Sequence, residues 1–124
     1  MRSSLVSALM AAAEDVGAVG DTNQSKPWGR ELSFMLDDCL TKVITVLEGK
    51  RTSLQRHEFK EEVIICLAGN GGVQDGDGNW ICTTGQSIRI TPGMVHRTVG
   101  PIILFEVQTN FPDDVIRISD DFGR

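Results

Sequence analysis

From Leu40 onward, apolar and polar positions fall into short runs rich in β-branched residues: Leu40 to Leu47, Thr52 to His57, Val63 to Leu67, Trp80 to Thr83, Ser87 to Ile90 and Ile102 to Gln108. Gly, Asn, Asp and Pro separate them, which is the punctuation of strands joined by tight turns. The spacing predicts an all-β antiparallel sandwich or barrel. No run between them has the length and three-to-four periodicity of a long helix, which argues against a doubly wound α/β fold. Ahead of them, Leu5, Leu9, Ala12 and Val16 recur at helical spacing and Gly17 offers a stop, predicting a short N-terminal helix. A signal peptide is the competing reading; Ser7 and the acidic Glu14-Asp15 pair count against it. Residues 1–25 are thus read as a helix and a polar linker, and residues 26–124 as one compact domain starting near Lys26-Pro27-Trp28-Gly29.

The 124 residues suffice for one core without disulfide staples. A net charge of −5 argues against a nucleic-acid partner or an anionic membrane surface, and no segment reaches the ~20 apolar residues of a membrane span. Cys39, Cys66 and Cys82 are widely spaced and odd in number, which reads as reduced, mostly buried thiols in a cytoplasmic protein. Cys66 shares strand parity with Glu62, so either an inert core position or an approach to a pocket is open to it. Asp75-Gly76-Asp77-Gly78-Asn79 imitates the start of a calcium loop, but Trp80 and Gln86 stand where that loop needs its glycine and its bidentate glutamate. A hairpin turn is the better reading.

The chemistry concentrates in two stretches. In Gly49-Lys50-Arg51-Thr52-Ser53-Leu54-Gln55-Arg56-His57, alternation puts Gln55 and His57 on one face, roughly 6.8 Å apart along the strand. A reversal over Phe59 to Glu61 returns Glu62 alongside them. The second stretch runs from Gly85 through Thr91-Pro92-Gly93 to His96, placing another imidazole at the head of a strand. Two imidazoles, a carboxylate and an amide form a mixed N/O set that suits Zn, Mn, Fe, Co or Ni with positions left open. Gln55 either ligates the ion or hydrogen-bonds its water.

These spacings resemble the two cupin motifs, G-x5-HxH-x4-E-x6-G and G-x5-PxG-x2-H, with Gln55 in the first histidine position and Thr91-Pro92 shifted by one in the second. Ser53-Leu54-Gln55-x-His57 is similar to the C-terminal cupin domain of type II, bifunctional mannose-6-phosphate isomerases. Lys26-Pro27-Trp28-Gly29, Glu106-Val107-Gln108 and the run from Asp113 to Arg124 resemble that group's EVQ and DD(I/V)xRxxDxYGR endings. The resemblance implies a cupin β-barrel, the double-stranded β-helix of jelly-roll type, holding one divalent metal ion on Gln55, His57, Glu62 and His96.

It further implies aldose–ketose isomerisation of a sugar phosphate, in which a base moves a proton between C1 and C2. Lys42 and Glu106 are the catalytic candidates. Lys42, Arg51 and Arg97 are expected to bind the substrate, with surface ion pairs as the alternative for each. A non-catalytic sugar-binding module and another metal chemistry, dioxygenase or lyase, remain open because fold does not fix function. The resemblance also leads to the expectation of a homodimer.

Overall fold

The computed structural model describes residues 22–124 apart from Asp37, Asn110 and Pro112. The predicted N-terminal helix lies outside the described residues. What is described is all-β: β1 (Thr22–Lys26), β2 (Gly29–Leu36), β3 (Cys39–Val46), β4 (Leu54–Arg56), β5 (Glu62–Ala68), β6 (Gly72–Asp75), β7 (Trp80–Thr83), β8 (Ser87–Ile90), β9 (His96–Val99), β10 (Ile102–Thr109) and β11 (Ile116–Ser119). They form a six-stranded sheet, β1-β2-β3-β10-β5-β8, facing a five-stranded sheet, β11-β4-β9-β6-β7. All paired strands run antiparallel. Among the described residues no helix is long and apolar enough to cross a membrane.

Strand alternation divides the larger sheet into an inner and an outer face. On the inner face, register places Ser33, Lys42, Glu106 and Ile64 in one cross-strand row, and Leu40, Gln108 and Glu62 in the next. One end of the interior is therefore polar. The other end is closed by Ile44, Val46, Ile64, Cys66, Ile102 and Leu104 from this sheet, packed on Val73 and Cys82 from the other. Burying side chains of this size is worth about 1.5–3 kcal/mol each. This apolar plug is the base on which the polar end stands. A smaller cluster of Leu32, Val43 and Ile103 lies on the outer face.

Strands β2, β6 and β11 answer to none of the six predicted runs, and two further regions differ from the sequence reading. Thr22 to Ser25, expected in the linker, pair with β2 as an edge strand, because the polar residues of β1 need only one neighbour to satisfy their backbone. Thr52 to His57, expected as one strand, is strand only over Leu54–Arg56, with an isolated bridge between Arg51 and Val99. Gly69, last residue of the first motif, has φ of +123°, and a β-carbon there would lie 2.3 Å from the Pro101 carbonyl oxygen. Only glycine fits that approach.

Candidate metal centre and cavity

Gln55 on β4 lies in register with His96 on β9. His57 leaves β4 with the same parity as Gln55, and Glu62 opens β5 after the turn. Nε2 of His57 stands 3.1 Å from Oε1 of Glu62, and Nε2 of His96 stands 3.3 Å from that same oxygen. The imidazole centroids are 5.1 Å apart, and all three side chains are buried. One ligand atom from each of the three lies within 4.8 Å of the others.

What the other ring nitrogens do fixes the chemistry. Nδ1 of His57 donates to the Asp114 carbonyl at 2.7 Å, and Nδ1 of His96 donates to the Met94 carbonyl at 3.0 Å. Each Nε2 is then either a bare lone pair facing a carboxylate or part of an imidazolium beside a second imidazolium. Two like charges at that separation repel, and three lone pairs turned on one another repel as well. A divalent cation resolves both conflicts, so the residues present fit a metal ion. Burial raises the Glu62 carboxyl, but hydrogen bonding to His57 and His96 outweighs it and holds the group well below the usual carboxylate range.

The cluster forms the floor of a cavity of about 610 Å³ whose wall includes Gln55, Lys42 and Glu106. Burial pulls the Lys42 ammonium down, but the charge and hydrogen bond of Glu31 prevail and its pKa is raised. Burial, and then the Glu62 charge, push Glu106 well above the ordinary carboxyl value, with Lys42 opposing. Nε2 of Gln108 reaches Oε1 of Glu106 at 3.0 Å and Oε2 of Glu62 at 3.4 Å, tying the two carboxyl groups together.

Arg51 and Arg97, expected as substrate ligands, are absent from the cavity wall. Arg97 follows His96 on the same strand, so with His96 turned inward it must turn outward. There its Nε donates to the Thr52 carbonyl at 3.2 Å. Arg51 forms a two-pronged pair with Asp121 at 2.6 and 2.9 Å on the exterior. In their place the wall holds Lys60, Arg117 and Arg124, together with Lys26, Glu31 and Asp113. Gln108, Asp114, Arg117 and Arg124 all fall within the EVQ and Asp/Arg-rich endings, so the sequence carried a signal for them. The tail could close the barrel mouth or make ion pairs on the outside on sequence grounds, and it folds back beside β4.

A family model for the C-terminal part of mannose-6-phosphate isomerase matches residues 17–120. The chain belongs to this mannose-6-phosphate isomerase C-terminal family. Its curated relatives include the alginate biosynthesis protein AlgA of Pseudomonas aeruginosa, 34% identical over 107 residues, which cover 80% of this chain and 22% of AlgA. The chain thus spans about a fifth of the length of that relative. Among solved structures, a cupin-like protein from Thermotoga maritima superposes with a TM-score of 0.61 at 18% identity, over 80% of this chain and 85% of that one. A putative sugar phosphate isomerase from Acidithiobacillus ferrooxidans gives 0.61 at 13%, over 80% and 73%. At such identities the likeness establishes the fold alone, and this member of the mannose-6-phosphate isomerase C-terminal family has the cupin, double-stranded β-helix fold.

Proposed function

We propose that this cupin holds one divalent transition-metal ion on His57, Glu62 and His96, with Gln55 beside them, and interconverts the aldose and ketose forms of a sugar phosphate. The observation that carries the reading is the convergence of two Nε2 atoms and one carboxylate oxygen at the cavity floor, with both Nδ1 atoms committed to main-chain carbonyls. The donor set suits Zn, Mn, Fe, Co or Ni. A bound ion would supply Lewis-acid polarisation of a carbonyl and its neighbouring hydroxyl.

The chain's own residues supply the rest. Glu106 turns a buried carboxyl into the cavity with Oε1 held by Gln108, and its role is to carry a proton between adjacent sugar carbons. Lys42, its cross-strand neighbour, sets the charge beside it while paired with Glu31. The family model and the sugar phosphate isomerase-like neighbour support a phosphorylated sugar. Charge agrees: the cavity wall carries Lys26, Lys42, Lys60, Arg117 and Arg124 against Glu31, Glu62, Glu106 and Asp113, in a chain whose net charge is −5. A divalent ion adds to that local excess, which favours an anionic ligand.

The test is metal content of the purified protein and of His57→Ala and His96→Ala, beside an assay of mannose 6-phosphate conversion to fructose 6-phosphate. Stoichiometric metal, lost in both variants, together with turnover in the wild type is the expected result. Metal without turnover would leave a sugar-binding module, and wild-type protein that cannot be loaded would end the reading.

A further inference from the structure

We propose that Arg117, on the C-terminal strand β11, is the specificity-determining residue that recognises the anionic end of the ligand. The assignment rests on the metal-dependent sugar-phosphate reading above and adds the residue that reads the phosphate. Its first support is the register of the smaller sheet. His96 on β9 faces Gln55 on β4, and Gln55 in turn faces Arg117 on β11. Residues directly opposite across strands share a face, and all three line the cavity. The row runs from a metal ligand at the floor to a guanidinium at the rim. Two strand spacings put the Arg117 backbone roughly 10 Å from that of His96. A ligand that chelates through one end of its carbon chain and carries a phosphate at the other fits such a span.

The second support is commitment. Lys26 and Lys42 both pair with Glu31, and Arg124 pairs with Asp120 at 2.9 Å. The Lys60 charge acts on Glu62 at the floor and on Glu106 in the wall. Arg117, exposed at the rim, has no ion-pair or hydrogen-bond partner among the described residues. It is the wall's one uncommitted rim cation among those residues, and its planar fork matches two phosphate oxygens at once. A neutral sugar gives that fork nothing to bind.

The test is calorimetric titration of the metal-loaded full chain with mannose 6-phosphate and with inorganic phosphate, in wild type, Arg117→Gln, Arg117→Lys and the exterior control Arg51→Gln. The expected result is mannose 6-phosphate binding weakened about tenfold or more in Arg117→Gln, less in Arg117→Lys and unchanged in Arg51→Gln, with metal content unaltered throughout. Wild-type affinity retained by Arg117→Gln would overturn the assignment alone. Metal lost from Arg117→Gln would also overturn it, by showing that the residue acts through Gln55. A metal-loaded wild type that binds neither probe would overturn the sugar-phosphate reading together with the assignment.

Discussion

The main-chain carbonyl of Asp114 accepts a 2.7 Å hydrogen bond from Nδ1 of His57. The carboxylate of Asp114 meanwhile takes the backbone N–H groups of Glu58, Phe59 and Lys60 at 2.9, 2.7 and 2.7 Å. One residue therefore fixes the tautomer of a candidate metal ligand and pins the turn that brings the chain back to Glu62. The closing segment is part of the centre's support, although it contributes no ligand.

Asp114→Ala keeps the carbonyl that His57 donates to but removes the carboxylate that pins the turn before Glu62, so it should lower metal affinity by about tenfold, the low end of the effect of losing an outer partner of a ligand, while leaving the core intact. The backbone N–H groups of Glu58, Phe59 and Lys60 hold the Asp114 carboxyl below its ordinary value against a smaller opposing effect of burial. A depressed carboxyl stabilises the fold above the ordinary value near ~4 and loses that contribution as pH falls through the lower, folded value. The acid limb of a thermal-stability profile should accordingly flatten in Asp114→Ala. Chelator competition and melting curves from pH 3 to pH 7 check both halves, and unchanged metal affinity would show that the Asp114 carboxylate does not support the centre.

The strands that the sequence made legible are those whose alternation is strong: Trp80–Thr83 and Ser87–Ile90 match residue for residue, and β3, β5 and β10 match to within a residue or two at their ends. The floor of the site was legible for the same reason, since parity alone puts Gln55 and His57 on one face. Parity also held the answer for Arg97, whose place next to His96 on a strand already turns it outward. The place of Arg117 on the cavity wall was not legible, although the closing signature contains the residue, because it depends on β11 pairing with β4, some 60 residues earlier in the chain. Local pattern does not encode a contact of that separation. The edge strand β1 was hidden by its polar composition, Thr-Asn-Gln-Ser-Lys, which reads as a loop until β2 lies beside it.

Gln55→His should tighten metal binding. The amide occupies the position where the cupin motif has its first histidine, directly across from His96. An imidazole is a better donor than an amide oxygen for Zn, Fe and Ni. Competition with a chromophoric chelator should show a gain of about tenfold or more, of the order that ligand-shell changes produce. An unchanged affinity would mean that position 55 does not reach the ion.

The thiols make a separate prediction. Sγ of Cys66 and Sγ of Cys82 lie 3.4 Å apart in the core, whereas Cys39 is partly exposed. Burial, then the hydrogen bond and charge of Cys82, push the Cys66 thiol up to about 12. A raised thiol contributes stability that is complete below the unfolded value of ~8.5 and is lost as pH climbs toward the folded one. Native protein at pH 8 should therefore react with an aromatic disulfide reagent at Cys39 alone, and all three cysteines should react in denaturant. Rapid modification of Cys66 in the native state would contradict the packing of the apolar plug.

Two glycines with positive φ should respond very differently to alanine. At Gly69, with φ of +123°, the added methyl would meet the Pro101 carbonyl oxygen at 2.3 Å and the Ile102 α-carbon at 2.9 Å. Both atoms are main chain, so β10 itself would have to move at the strand that carries Leu104, Glu106 and Gln108. Left-handed strain and steric overlap together should cost on the order of 3 kcal/mol or more. At Gly78, with φ of +82° in the hairpin turn, nothing lies within 4 Å of the same methyl. Only the backbone preference is lost there, about 1–2 kcal/mol. Urea denaturation of the two variants should separate these values at similar m. Because Gly69 supports β10 from outside the cavity, its alanine variant should also bind metal more weakly in proportion to the unfolding it causes, and the metal should restore part of the lost stability. Equal destabilisation at both positions would show that the close approach at Gly69 relaxes, and that the glycine ending the first motif is held there by its dihedral angle alone.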